Sequence, residues 1–186
     1  ILPSKVKWMQ VDDWGIVIAA CENGLYGIDP RDGNKIWENT TLTNIKEDFY
    51  NTIENTPLIL IADKGADAKT VVINGMTGEV IFDSSVEGFE KIVSRKVLPE
   101  IEGLLVAFKD ANGDGIALYN YVNGSQVWIS TSEKTKSKAV QPEPFMDHEN
   151  NVIFANGSFV YRIDASNGEI LWTYETKKSL IDLFTN

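Results

Sequence analysis

Gly27-Ile-Asp-Pro-Arg-Asp-Gly-Asn-Lys-Ile-Trp37 is the first of four copies of one eleven-residue phrase. The others are Val72-Ile-Asn-Gly-Met-Thr-Gly-Glu-Val-Ile-Phe82, Leu118-Tyr-Asn-Tyr-Val-Asn-Gly-Ser-Gln-Val-Trp128 and Arg162-Ile-Asp-Ala-Ser-Asn-Gly-Glu-Ile-Leu-Trp172. Their glycines stand at 33, 78, 124 and 168, hence 45, 46 and 44 residues apart, and the closing aromatics keep the same spacing. A fixed period of this length marks an array of one supersecondary unit.

Each phrase reads as a strand, a turn and a strand. The third position is Asp29, Asn74, Asn120 or Asp164, whose side chains hydrogen-bond the backbone two residues on and so start a turn. The seventh is always glycine (Gly33, Gly78, Gly124, Gly168), suited to the positive φ that closes a type I turn through a bulge. Continuous apolar runs precede the phrases at Ile16–Ala20, Leu58–Ala62, Leu104–Phe108 and Val152–Ala155, as expected of strands buried on both faces. Asn23-Gly24 and Asn156-Gly157 are hairpin signals in the first and last units. From the end of each run to the turn Asx there are 9, 12, 12 and 9 residues (20 to 29, 62 to 74, 108 to 120, 155 to 164), so the middle hairpins are longer.

A further strand is expected to open each unit, near Lys5–Val11, Asp48–Ile53, Ile92–Leu98 and Ala139–Phe145. Four antiparallel strands per repeat make the blade of a β-propeller. The expected fold is therefore all-β, with four four-stranded blades at about 1–40, 41–86, 87–131 and 132–176 and a short tail at 177–186. A β-sandwich would not repeat one phrase four times. Ser179–Phe184 has room for one short helical turn.

The phrase resembles the tryptophan-docking motif of quinoprotein-type propellers, the pyrroloquinoline-quinone-enzyme repeat, with the pattern Ala-x-Asp-x-x-Thr-Gly-Lys-x-x-Trp. Asp29, Gly33 and Trp37 match in the first copy, and Thr77 and Gly78 in the second, where Asn74 and Phe82 replace Asp and Trp. Gly124 and Trp128 match in the third, with Asn120 for Asp, and Asp164, Gly168 and Trp172 match in the fourth. The resemblance implies that these twelve positions fasten blades together, the aromatic ring packing between neighbours. It does not imply catalysis, because the repeat occurs in quinone-dependent dehydrogenases and in non-catalytic scaffolds alike. The dehydrogenases commonly carry an adjacent Cys pair and channel carboxylates that hold quinone and calcium. Here there is one cysteine, and no such carboxylate is carried over.

Members of that family often close with more blades than four. A start at Ile1 rather than Met is compatible with a fragment or a processed chain. Three arrangements fit: a compact four-bladed ring, an open half that pairs with a second copy, or part of a larger propeller. An open array would favour homo-oligomers, because strand edges would be exposed.

The net charge of −10 argues against nucleic acid and against an anionic membrane face. No apolar stretch reaches the 18 or so residues of a membrane-spanning helix. Cys21 follows a buried run and reads as an inert thiol. The sequons at Asn39, Asn123 and Asn156 coincide in two cases with turns that favour asparagine anyway.

Candidates for chemistry are few. His148, the sole histidine, lies in the polar stretch Met146-Asp-His-Glu-Asn-Asn151 and supplies at most one ligand. Asp110, Asn112 and Asp114, followed by Gly115, match the opening of a calcium loop, but Leu118 and Tyr121 stand where later ligands belong. The blade-two counterpart, 63–69, has no such pattern. No cofactor, metal or catalytic residue is therefore expected.

What remains is surface. The opening strands carry Lys5, Lys7, Tyr50, Asn51, Arg95, Lys96, Gln141 and Glu143, and Arg95-Lys96 is a basic pair in an acidic chain. The polar connections at Thr40–Glu47 and Thr131–Lys138 are of the kind that carries binding specificity. The expected function is a non-enzymatic scaffold for a protein, peptide or glycan, with a fragment of a quinone-dependent dehydrogenase as the alternative. The expected setting is extracytoplasmic, in a bacterial cell envelope or secreted.

Overall fold

A computed structural model describes residues 2–62, 69–110, 113–132 and 143–176. The chain forms two compact units, Ile1–Glu87 and Gly88–Asn186, and each holds two blades. In the first unit, β1 (Val6–Val11), β2 (Val17–Cys21), β3 (Gly24–Ile28) and β4 (Lys35–Asn39) pair antiparallel in chain order. So do β5 (Asn51–Thr52), β6 (Leu58–Ala62), β7 (Thr70–Asn74) and β8 (Val80–Asp83). The second unit repeats the plan with β9 (Lys91–Leu98), β10 (Gly103–Lys109), β11 (Asp114–Asn120) and β12 (Gln126–Ser132). Its other blade is β13 (Phe145–Met146), β14 (Val152–Asn156), β15 (Phe159–Ile163) and β16 (Ile170–Glu175). The fold is an all-β propeller type with four four-stranded blades.

The four phrases become four turns closed by the same hydrogen bonds. The Asx side chain accepts from the backbone N–H two residues on at 2.9, 2.9, 2.9 and 2.8 Å (Arg31, Met76, Val122, Ser166). The glycine N–H donates back to the Asx carbonyl at 2.7–2.8 Å, and all four glycines have φ between 70° and 78°. That φ costs an L residue strain that glycine avoids.

A bulge follows every turn. Gly27 pairs with Trp37 but Ile28 pairs with Lys35, so Ile36 is the extra residue. Ile81, Val127 and Leu171 are skipped in the same way. Inserting one residue re-aims the side chain that follows it, here the closing aromatic.

The second and third strands of each blade carry the core. Every residue of β6 and β14 is buried, and so is every residue of β10 except the half-buried Lys109. Ile18, Leu25, Ile59, Ile61 and Ile73 surround Trp37 in the first unit, and Leu105, Ile116, Leu118, Phe154 and Ile163 surround Trp128 in the second.

Some strands differ from the expectation. Over Asp48–Ile53 only Asn51–Thr52 is strand, because Glu47–Phe49 winds into a 3-10 turn closed by Tyr50 N–H on the Glu47 carbonyl. Only Phe145 of the fourth opening segment is strand among described residues, and 133–142 lie outside them. The first hairpin forms one residue earlier than Asn23-Gly24 suggests: Gly24 already pairs with Cys21, and Glu22-Asn23 makes the loop. Gly24 serves instead for close approach, since a Cβ there would lie 2.6 Å from the Asn39 carbonyl oxygen. Residues 63–68 and the tail at 177–186 also lie outside the described residues.

Replacing Trp128 by Ala should cost about 3–5 kcal/mol, a large buried aromatic lost with its cavity left behind. A urea titration showing less than about 1 kcal/mol would contradict the packing described. The second prediction concerns acid. The Arg31 guanidinium holds the Asp29 carboxyl down to about 2, and the Ser166 hydroxyl and backbone N–H lower Asp164. Burial pushes Asp83 up, but Lys69 at 2.8 Å and Ser85 outweigh it and lower it. Depressed carboxylates stabilise the fold above their unfolded values and lose that stabilisation as pH falls through the folded ones. The melting temperature should thus hold above about pH 5 and fall between roughly pH 4 and pH 2. A melting temperature that climbs through that window would refute it.

Candidate partner-binding surface

Within each unit, one tryptophan crosses from its blade to the next. The Trp37 Nε1–H donates to the Gly75 carbonyl at 2.7 Å, and a Cβ at Gly78 would sit 2.6 Å from the Trp37 ring. The Trp128 Nε1–H donates to the Ala165 carbonyl at 2.8 Å, and a Cβ at Gly168 would sit 2.9 Å from the Trp128 ring. The accepting carbonyl is in each case one residue past the turn Asx. Phe82 is also buried, but its ring has no N–H to donate. Trp172, in the same position of β16, is 43% exposed. Asn120 and Gly124 build the third blade's turn.

Trp8 adds a contact of its own, donating Nε1–H to the Ile45 carbonyl at 2.9 Å and meeting Tyr50 edge-on at 5.6 Å. Tyr50 therefore packs inward, and burial followed by the charges of Asp12 and Asp13 pushes its hydroxyl far up. Lys5, Lys7 and Asn51 are exposed as expected.

The connections between the first two strands repeat as well. Asp12 Oδ1 accepts from Trp14 N–H at 3.0 Å and Ile16 N–H at 2.8 Å, and Asp147 Oδ1 accepts from Glu149 and Asn151 N–H at 2.9 Å each. Asp147 Oδ2 takes Arg162 Nε–H at 2.7 Å, whereas Asp12 Oδ2 is buried without a partner.

In the second unit a groove of about 330 Å3 opens beside these elements. Leu98, Pro99 and Ile101 line one wall, and Phe145, Met146 and Asn150 the other. Pro99 starts a 3-10 turn, and Glu102 at φ 52° reverses the chain into β10, which leaves Ile101 44% exposed at the lip. Lys96 also lines the groove, and its Nζ lies 3.4 Å from Glu143 Oε2. The strand β9 runs along the groove at the edge of its sheet.

The other sequence candidates lie elsewhere. Arg95 and Lys96 are adjacent on a strand and so point to opposite faces, which divides the basic pair. Asp110 Oδ1 accepts from Gly113 N–H at 3.0 Å. Asp114 is buried with its Oδ2 3.4 Å from Lys109 Nζ, and Asn112 lies outside the described residues, as does Gln141. Among the described residues no three acidic, His or Cys side chains gather as a metal site. The His148 side chain is 88% exposed, 3.7 Å from Glu149. Burial pushes the Cys21 thiol up, against a smaller lowering by Ser4, so it is a poor nucleophile near neutrality. The groove itself escaped sequence reasoning, because its apolar residues come from segments about a blade apart. The solvent-facing Pro99-Glu-Ile101 corner was the available signal.

No curated protein matches the chain. Among solved structures, Sqt1 of Saccharomyces cerevisiae is 16% identical over 98% of this chain and 54% of its own, with a TM-score of 0.55. Quinohemoprotein alcohol dehydrogenase from Comamonas testosteroni is 11% identical over 86% of this chain and 34% of its own, with a TM-score of 0.50. At such identities the likeness is one of fold. The chain spans 54% and 34% of the lengths of these two proteins. A family model described as outer membrane protein assembly factor BamB matches residues 22–180, and the chain belongs to that family of pyrroloquinoline-quinone-type propeller repeats.

Proposed function

We propose that the chain is a non-enzymatic propeller module that binds an extended segment of a protein partner, and that its twelve turn and aromatic positions serve blade docking. The groove beside β9 carries this reading. An edge strand offers unpaired backbone groups to an added strand, and a neighbouring apolar pocket selects one of its side chains. Leu98, Ile101, Phe145 and Met146 supply apolar wall, and the Lys96–Glu143 pair marks a polar rim. A volume of about 330 Å3 holds one or two large side chains, at the small end for a ligand pocket. A bacterial cell envelope is the setting this reading favours, supported by the description of the family model.

Selection of displayed peptides on the whole chain tests the assignment. Enriched peptides should carry an apolar anchor, and Ile101→Asp should weaken them about tenfold or more, a loss of about 1.4 kcal/mol. Ile101 is exposed enough that the variant should keep its melting temperature. Binding that ignores Ile101→Asp and Met146→Glu would remove the groove from the site. Titration with pyrroloquinoline quinone and calcium is expected to show no stoichiometric complex. A one-to-one complex with dye-linked alcohol oxidation would overturn the non-enzymatic reading.

A further inference from the structure

The groove beside β9 is apolar inside and acidic around. Leu98 is buried in it, and Phe145 and Met146 are half-buried. The exposed lip, Ile101, stands between two exposed carboxylates, Glu100 and Glu102, and Glu100 itself lines the groove. Across from them Glu143 precedes Phe145, and Asp147 and Glu149 follow Met146.

The cations of this region are engaged on the far wall. Lys96 Nζ lies 3.4 Å from Glu143 Oε2. Arg162 is held between Asp147, whose Oδ2 is 2.7 Å from its Nε, and Glu149. His148 is 3.7 Å from Glu149, and Arg95 leaves β9 from the face opposite Lys96. Among the described residues no basic side chain pairs with Glu100 or Glu102. Glu102 accepts only a neutral donor, Asn120 Nδ2 at 3.4 Å.

A segment lying over the Ile101 lip takes water away from both of these carboxylates. A neutral segment leaves that loss uncompensated, and an acidic one adds repulsion to it. A second copy of this chain, at net charge −10, brings more of the same sign. Only a cationic segment restores what docking removes.

Given a partner segment in this groove, as proposed above, we infer that it carries lysine or arginine two residues from its apolar anchor. The spacing follows from the extended chain, where residues two apart share a face and immediate neighbours turn away. A cation two residues from the anchor therefore faces the same wall as the anchor, beside Glu100. An adjacent one faces solvent.

Three labelled peptides of equal length test this on the whole 186-residue chain, each with a central phenylalanine in a serine and threonine background. The first has lysine two residues to either side of the phenylalanine, the second has lysine at both adjacent positions, and the third has glutamate two residues to either side. By fluorescence anisotropy at low salt the first should bind about fivefold more tightly than the second and about tenfold or more above the third. High salt should shrink that lead, because exposed charges are screened. Glu100→Gln combined with Glu102→Gln should erase the lead and leave the melting temperature unchanged, since both side chains are exposed. Equal binding of the three peptides, still lost on Ile101→Asp, overturns the charge and spacing and leaves the groove standing as the site. A preference for glutamate, or a lead that survives the double variant, does the same. Failure of all three to bind, or binding indifferent to Ile101→Asp, overturns the groove as the site and the charge preference with it.

Discussion

An indole N–H reaching the backbone carbonyl of the next blade's turn is the contact on which each two-blade unit depends. It meets three demands at once. The bond satisfies a donor and an acceptor that are buried in the first unit and half-buried in the second, where leaving either unpaired would be costly. The ring covers the turn glycine, excluding water from the seam. The bulge before the tryptophan supplies the aim. Glycine at the seventh position thus answers to two constraints, positive φ within its own turn and close approach by a neighbour's ring at Gly78 and Gly168.

Much of what varies between the blades lies outside those seams. The first two strands of each blade and their connecting corners differ in length, conformation and charge. A 3-10 turn replaces most of a strand in the second blade, whereas Pro99–Ile101 folds a corner in the third. The groove beside β9 arises where such a corner meets the fourth blade's opening strand. Constant turns hold the sheets, and divergent corners give the surface its character.

Much of this was legible in the sequence. The Asx and glycine positions were readable because a turn is a local event whose chemistry sits within six residues. The buried runs were readable because burial on both faces leaves no polar alternation. The bulges at Ile36, Ile81, Val127 and Leu171 were not, since a skipped pairing partner leaves no compositional trace. Asn23-Gly24 misled by one residue, because the need to let the Asn39 carbonyl approach governed the glycine rather than the turn type. Arg95-Lys96 is a basic pair in the sequence, and strand alternation sends its two members to opposite faces. The groove depends on segments distant in sequence, so it is not a property of any local window.

The two aspartate corners carry a lesson for anyone averaging the repeats into one ideal blade. Asp147 has Arg162 to fill its second oxygen, and the position of Arg162 in the first copy is Gly27. A Cβ at Gly27 would lie 2.1 Å from Trp37 Nε1, so the space an arginine would use is already the floor beneath that ring. The unpaired oxygen of Asp12 is the residue of that choice: one blade gives the space to a cation, the other to an indole. Consensus engineering that transplants arginine to position 27 would satisfy a carboxylate and evict a tryptophan. The blades are interchangeable as outlines and not as parts lists.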